Sequence, residues 1–123
     1  YNNSIKIKPG DYLGYFNRGQ LKYELKDYEA AIADYNQALE LKPDCSLIYY
    51  SRGLAHCKLK DHKKEIEDYS LAIEFKPDYE IAYKERGVAK YEIGDKEGGC
   101  ADLNTAVKYG SDHAYNYLLE HCK

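Results

Sequence analysis

Apolar positions recur at intervals of three and four along nearly the whole chain, with short polar breaks between the runs. Tyr28, Ala31, Ile32, Tyr35, Ala38 and Leu39 form one stripe, and Leu13, Phe16, Gly19 and Tyr23 form another. Only a helix gathers such spacings on one face. The pattern predicts helices over 12–25, 28–41, 46–59, 62–75, 80–93 and 96–109, with a short closing helix over 112–121. The breaks are of two kinds. Asp27, Asp61 and Asp95 lie in polar turns such as "LKD" and "IGD", where an N-cap starts the next helix. Pro43 and Pro77 close the helix that follows, because proline cannot continue one.

The breaks also keep time. "YNNSIKIKP", "YNQALELKP" and "YSLAIEFKP" begin at residues 1, 35 and 69, an interval of 34 residues. Arg18-Gly19, Arg52-Gly53 and Arg86-Gly87 follow the same beat, as do Asp34, Asp68 and Asp102. Self-similarity at a fixed period marks a stacked array. Each unit reads as helix A, turn, helix B, break. The expected organisation is one array: residues 1–11 end a preceding repeat, 12–45, 46–79 and 80–111 are three repeats, and 112–123 cap the last. Residues 1–7 read as the final turns of a helix B without its helix A, so the chain is expected to begin inside a longer array. Ile5 and Ile7 would then leave an apolar N-terminal edge that frays or meets another chain. The closing "HAYNYLLEHC" reads as a genuine end, laying Tyr117 and Leu118 on the last helix B.

This pattern resembles the tetratricopeptide-repeat (TPR) family over nearly its whole length. The family's large aromatic early in helix A is matched by Tyr15, Tyr49 and Tyr83, and its small residue there by Gly19, Gly53 and Gly87. The helix B aromatic is matched by Tyr35 and Tyr69, with Leu103 in the third unit, and the small residue after it by Ala38, Ala72 and Ala106. The resemblance implies an all-α fold, an α-α superhelix of antiparallel helix pairs, wound right-handedly. Two departures stand out. Glu65 takes the place of Ala31, which predicts looser packing in the second unit. Gly98 and Gly99 weaken the third helix B by roughly 1 kcal/mol each relative to alanine.

Composition narrows the function. Eighteen basic against 21 acidic residues give a net charge of −3, which disfavours nucleic acid as a partner. No apolar run approaches the roughly 18 residues of a membrane span. Cys45, Cys57, Cys100 and Cys122 show no CxxC and no zinc spacing with histidine, so they read as four buried or idle thiols, with no metal and no cofactor. The compartment is left open, with a lean to the cytoplasm.

Candidate chemistry is sparse. His56 and Cys57 are adjacent, but neighbours on a helix point about 100° apart, so the pair is no nucleophile and base. Each repeat-phase arginine precedes an aspartate by sixteen residues, which reads as a structural tie between helices A and B because it recurs in every unit. No catalytic residue is assigned, and the chain is read as a non-enzyme.

The functional expectation is an interaction module that holds a peptide or partner protein in a concave groove. Steps of three and four along helices A give its lining. The first helix offers Leu13, Phe16, Asn17, Gln20, Tyr23 and Glu24. The second offers Leu47, Tyr50, Ser51, Leu54, Cys57 and Lys58, and the third Ile81, Lys84, Glu85, Val88, Tyr91 and Glu92. In the family, modules that clamp the acidic C-terminus of chaperones use Lys and Asn, then Asn, then Lys and Arg, on successive helices A. The matching places here hold Phe16 and Gln20, Ser51, and Ile81 and Glu85. The resemblance therefore implies a groove that is not a carboxylate clamp and that suits an apolar segment carrying a basic residue. The alternatives are a structural segment that self-associates through its N-terminal edge, or a regulatory part of a larger enzyme.

Overall fold

A computed structural model describes residues 11–122, which form seven helices and no strand. They are α1 (Tyr12–Glu24), α2 (Tyr28–Leu41), α3 (Ser46–Lys58), α4 (His62–Phe75), α5 (Glu80–Glu92), α6 (Lys96–Lys108) and α7 (Asp112–His121). The expected preceding half-repeat at residues 1–7, with Ile5 and Ile7, lies outside the described residues. Helices α1, α3, α5 and α6 stop one residue earlier than the apolar pattern predicts, because the turn consumes that residue. After α1, Lys26 enters the left-handed region (φ 66°). Its amide donates to the Tyr23 carbonyl at 2.9 Å, and that of Asp27 to the Lys22 carbonyl at 2.8 Å. This double bond pattern satisfies the terminal carbonyls. It recurs at Lys60 (φ 61°) and at Gly94 (φ 105°), where glycine meets the same need without a Cβ.

Asp27, Asp61 and Asp95 each accept from an amide of the following helix, as their positions predict, and Asp11 and Ser111 do the same for α1 and α7. Helices α3 and α5 start after the proline breaks without a side-chain cap. The closest packing is within the pairs α1–α2, α3–α4 and α5–α6. Contacts α2–α3 and α4–α5 stack the pairs, and α7 lies on α6. The result is an α-helical solenoid.

Small residues let the helices approach. A Cβ on Gly53 would stand 2.7 Å from the Tyr69 ring, and one on Gly19 would stand 2.7 Å from Tyr35. Both tyrosines are fully buried. In the third unit Leu103 replaces the tyrosine, and the crossing tightens. A Cβ on Gly99 would come within 2.6 Å of the Gly87 carbonyl oxygen. Gly99, which weakens an isolated helix, is thus the point where α5 and α6 cross backbone to backbone.

The arginine–aspartate ties form as expected, and bidentately. Arg18 bonds Asp34 at 3.0 and 2.7 Å, Arg52 bonds Asp68 at 3.0 and 2.7 Å, and Arg86 bonds Asp102 twice at 2.8 Å. The three aspartates are buried. Arg52 also donates to Asn36 of the preceding helix B at 2.8 Å, and Arg86 to Ser70 at 3.1 Å. The ties therefore fasten one unit to the next as well as A to B. Each guanidinium lies over the ring of Tyr15, Tyr49 or Tyr83 at 5.5–5.6 Å.

The cysteine expectation needs correction. Cys100 and Cys122 are joined in a disulfide, while Cys45 and Cys57 are free and partly buried. The link runs from the second turn of α6 to the residue closing α7, and it forms because α7 folds back along α6. A separation of 22 residues carries no motif, so spacing alone does not reveal it.

Candidate interaction surface

Helices α1, α3 and α5 carry the expected groove residues. Leu13, Leu47 and Ile81 stand in register near their starts, 52%, 45% and 36% exposed. Asn17, Gln20, Glu24, Lys58 and Glu92 are also exposed. Tyr23, Tyr50, Leu54, Cys57, Lys84, Glu85 and Val88 are half-buried. Two expected lining residues lie deeper. Phe16 is 8% exposed and packs its ring 5.8 Å from Tyr35, and Ser51 is buried. They are floor, available for contact only at their edges. Tyr91 is turned to the closing helix: its ring meets Tyr117 at 5.9 Å and His121 at 5.5 Å, and its hydroxyl donates to the His121 carbonyl.

The centre of this face sets the half-buried Glu85 beside tyrosine rings. The Tyr50 ring lies 5.9 Å from Tyr69 and 5.6 Å from Tyr79. Glu85 of α5 stands within electrostatic reach of Tyr23, Tyr50 and Tyr69 and raises the pKa of each, after the larger effect of burial. Its own carboxyl is held above the usual range by burial, opposed by Lys84 and reinforced by Glu65. The Lys84 ammonium is 3.8 Å away, too far for a hydrogen bond.

Glu65 was legible only as a departure from the repeat, and the structure gives it a role the pattern does not. It is buried to 3% exposure, takes a 2.9 Å bond with His62 Nδ1, and faces the Cys57 thiol. The Tyr69 hydroxyl faces the same carboxylate but lies outside hydrogen-bond geometry with it, and has no partner among the described residues. In the first unit Gln20 accepts from the equivalent Tyr35 hydroxyl; Leu54 occupies the Gln20 place in the second.

Nucleophilic chemistry finds no support at His56-Cys57. His56 Nε2 points at Asp68, 3.5 Å away, and not at the thiol. Burial, with Glu65 alongside, pushes the Cys57 thiol up to about 11, which keeps it protonated near neutrality. Among the described residues, no three histidine, cysteine or carboxylate side chains converge as a metal site requires. An open cavity of about 810 Å³ lies elsewhere, between α6 and α7 beside the disulfide. Of the expected groove residues it shares only Tyr91.

The sequence matches the TPR repeat family over residues 19–60 and the tetratricopeptide repeat family over residues 47–79. No curated protein matches it significantly. Solved structures with the same fold include the first TPR of Spaghetti (RPAP3) bound to the HSP90 peptide SRMEEVD, at 22% identity. That match covers 96% of this chain and 95% of that one, with a TM-score of 0.86. The Sgt2 TPR domain from Aspergillus fumigatus is similar at 25% identity, covering 96% and 80%, with a TM-score of 0.83. The second TPR domain of human RPAP3, in complex with the HSP70 peptide SGPTIEEVD, is similar at 23% identity, covering 89% and 92%, with a TM-score of 0.82. The 34-residue units, the glycine–tyrosine crossings and these matches agree, and the chain belongs to the tetratricopeptide-repeat family.

Proposed function

We propose that this chain is a protein-interaction module that holds a segment of a partner protein against the face built by α1, α3 and α5. One observation carries the reading: Tyr23, Tyr50 and Glu85, one from each of these helices, act electrostatically on one another, so the three helices present a single surface. Exposed Leu13, Leu47 and Ile81 extend it as an apolar rail. Similar folds solved with SRMEEVD and SGPTIEEVD support peptide binding as the class of function. They do not support the same ligand. The places that would hold clamp cations carry Phe16, Ile81 and Glu85, and a carboxylate at Glu85 repels a terminal carboxylate. Catalysis is no part of this reading.

Selection of a random-peptide phage library against the chain tests it. The expected result is enriched peptides whose binding is lost in the Leu47→Ser/Ile81→Ser double variant, with helical content unchanged. Enriched peptides indifferent to both substitutions would place the interaction elsewhere. A second reading, assembly through an end of the solenoid, is favoured by Tyr115 and Leu119 on α7, which remain 53% and 57% exposed. Sedimentation at rising concentration distinguishes the two, since assembly requires a mass that grows with concentration.

A further inference from the structure

We infer that the face where α3, α4 and α5 meet receives one basic side chain of the partner segment, arginine above lysine, at Glu85, with the buried Glu65 behind it and tyrosine rings around it. The inference rests on the groove reading and specifies its chemistry. Three observations converge on it.

First, two carboxylates from different helices lie within electrostatic reach of each other where the fold does not require them. The place of Glu65 in the preceding unit holds Ala31, fully buried and sufficient for packing. The places of Glu85 in the preceding units hold Asn17 and Ser51. Among the described residues, neither carboxylate has a lysine or arginine in hydrogen-bonding contact: Glu65 has His62, and Glu85 has Lys84 at 3.8 Å. A guanidinium at Glu85 would add the hydrogen-bonded cation that Lys84 does not provide, and its charge would also offset that of Glu65 behind.

Second, the Tyr69 hydroxyl is fully buried, turned toward Glu65, Glu85 and Cys57, and unpartnered among the described residues. A buried hydroxyl without a partner is costly, and an incoming N–H donor gives its oxygen a bond to accept. The equivalent Tyr35 hydroxyl, which is satisfied by Gln20, has no carboxylate in the position of Glu65.

Third, the walls suit a cation. Tyr50 packs at 5.6–5.9 Å from Tyr79 and Tyr69, and Tyr23 on α1 lies within electrostatic reach of Glu85. Aromatic faces attract a guanidinium more than they attract the compact, strongly hydrated ammonium of lysine.

The test uses peptides enriched by the phage selection, synthesised with a fluorophore and measured by anisotropy. The expected result is one position enriched in arginine or lysine. Its replacement by norleucine should weaken binding about tenfold in the wild-type chain and change it less than about twofold in Glu85→Gln. Glu85 is only partly buried, so Glu85→Gln should melt no lower than wild type, and it keeps the test open if Glu65→Gln fails to fold. Groove-dependent peptides with no basic position, or a norleucine penalty equal in wild type and Glu85→Gln, would overturn the inference and leave the groove reading standing. Failure to recover any groove-dependent peptide would overturn both.

Discussion

Tyr35 in α2 and Tyr69 in α4 hold the same place in successive units, and both are completely buried over a glycine of the partner helix. The frame around them is nearly superimposable, down to arginine–aspartate distances of 3.0 and 2.7 Å in each unit. What meets the hydroxyl differs. Tyr35 finds Gln20, with Ala31 packed alongside. Tyr69 finds Leu54 in the place of Gln20, and a buried Glu65 in the place of Ala31. A second unit copied from the first would fold with fewer unsatisfied polar groups. Local rules broken inside an otherwise repeated frame point to function more than to architecture.

The largest expected effect tests whether the frame is equivalent in both units. Asp34→Ala and Asp68→Ala should each cost about 3 kcal/mol in urea unfolding, because each strands an arginine in a partly buried tie. A near-neutral Asp68→Ala beside a costly Asp34→Ala would show that the second unit is held differently. Next, Gly19→Leu and Gly53→Leu should each cost roughly 1–3 kcal/mol by overpacking against the tyrosine ring. Unchanged melting curves would remove the ring-over-glycine account. Exchanging the hydroxyl partners sharpens the contrast directly. Gln20→Leu should cost about 1 kcal/mol, and Leu54→Gln should return a similar amount by giving Tyr69 an acceptor. No gain from Leu54→Gln would mean that Tyr69 is already satisfied in solution by Glu65.

The smallest effect depends on pH. Lys22 and Lys90 approach Asp34 and Asp102 at 3.1 and 3.2 Å, but the second unit has His56 there. Burial lowers the His56 pKa below its ordinary 6.5, despite the pull of Asp68. The folded chain therefore holds that proton less tightly than the unfolded one. Its contribution to stability is complete above 6.5 and is lost as pH falls through that value toward the folded-state pKa. His56→Lys should flatten the decline in melting temperature between neutral and mildly acidic solution. An identical decline in the variant would assign it to other groups.

Much of this molecule was legible in its sequence, because repetition supplies its own check. The helices fall within one residue of their expected ends, and the aspartate caps and arginine ties were readable from spacing alone. Other features depend on how distant segments meet. The Cys100–Cys122 link needs α7 to return along α6, and the same return sets the Tyr91 ring against Tyr117 and His121. Helical spacing put Phe16 and Ser51 on the lining face but could not fix their depth, which α2 and α4 determine by packing over them. Glu65 shows the reverse case. Its departure from pattern was visible, and the expected looseness gave way to a carboxylate buried against His62, Cys57 and Tyr69.

The central proposal is that a fold shared with domains solved with the HSP90 peptide SRMEEVD and the HSP70 peptide SGPTIEEVD here presents a centre of opposite preference. Fluorescence anisotropy with the SGPTIEEVD peptide, which ends in acidic residues and carries no basic one, tests it most directly. The wild-type chain should show no saturable binding, and a peptide carrying a basic residue in an apolar context should compete for the same face in phage-selected complexes. Micromolar binding of SGPTIEEVD that is abolished by Leu47→Ser/Ile81→Ser would contradict the account.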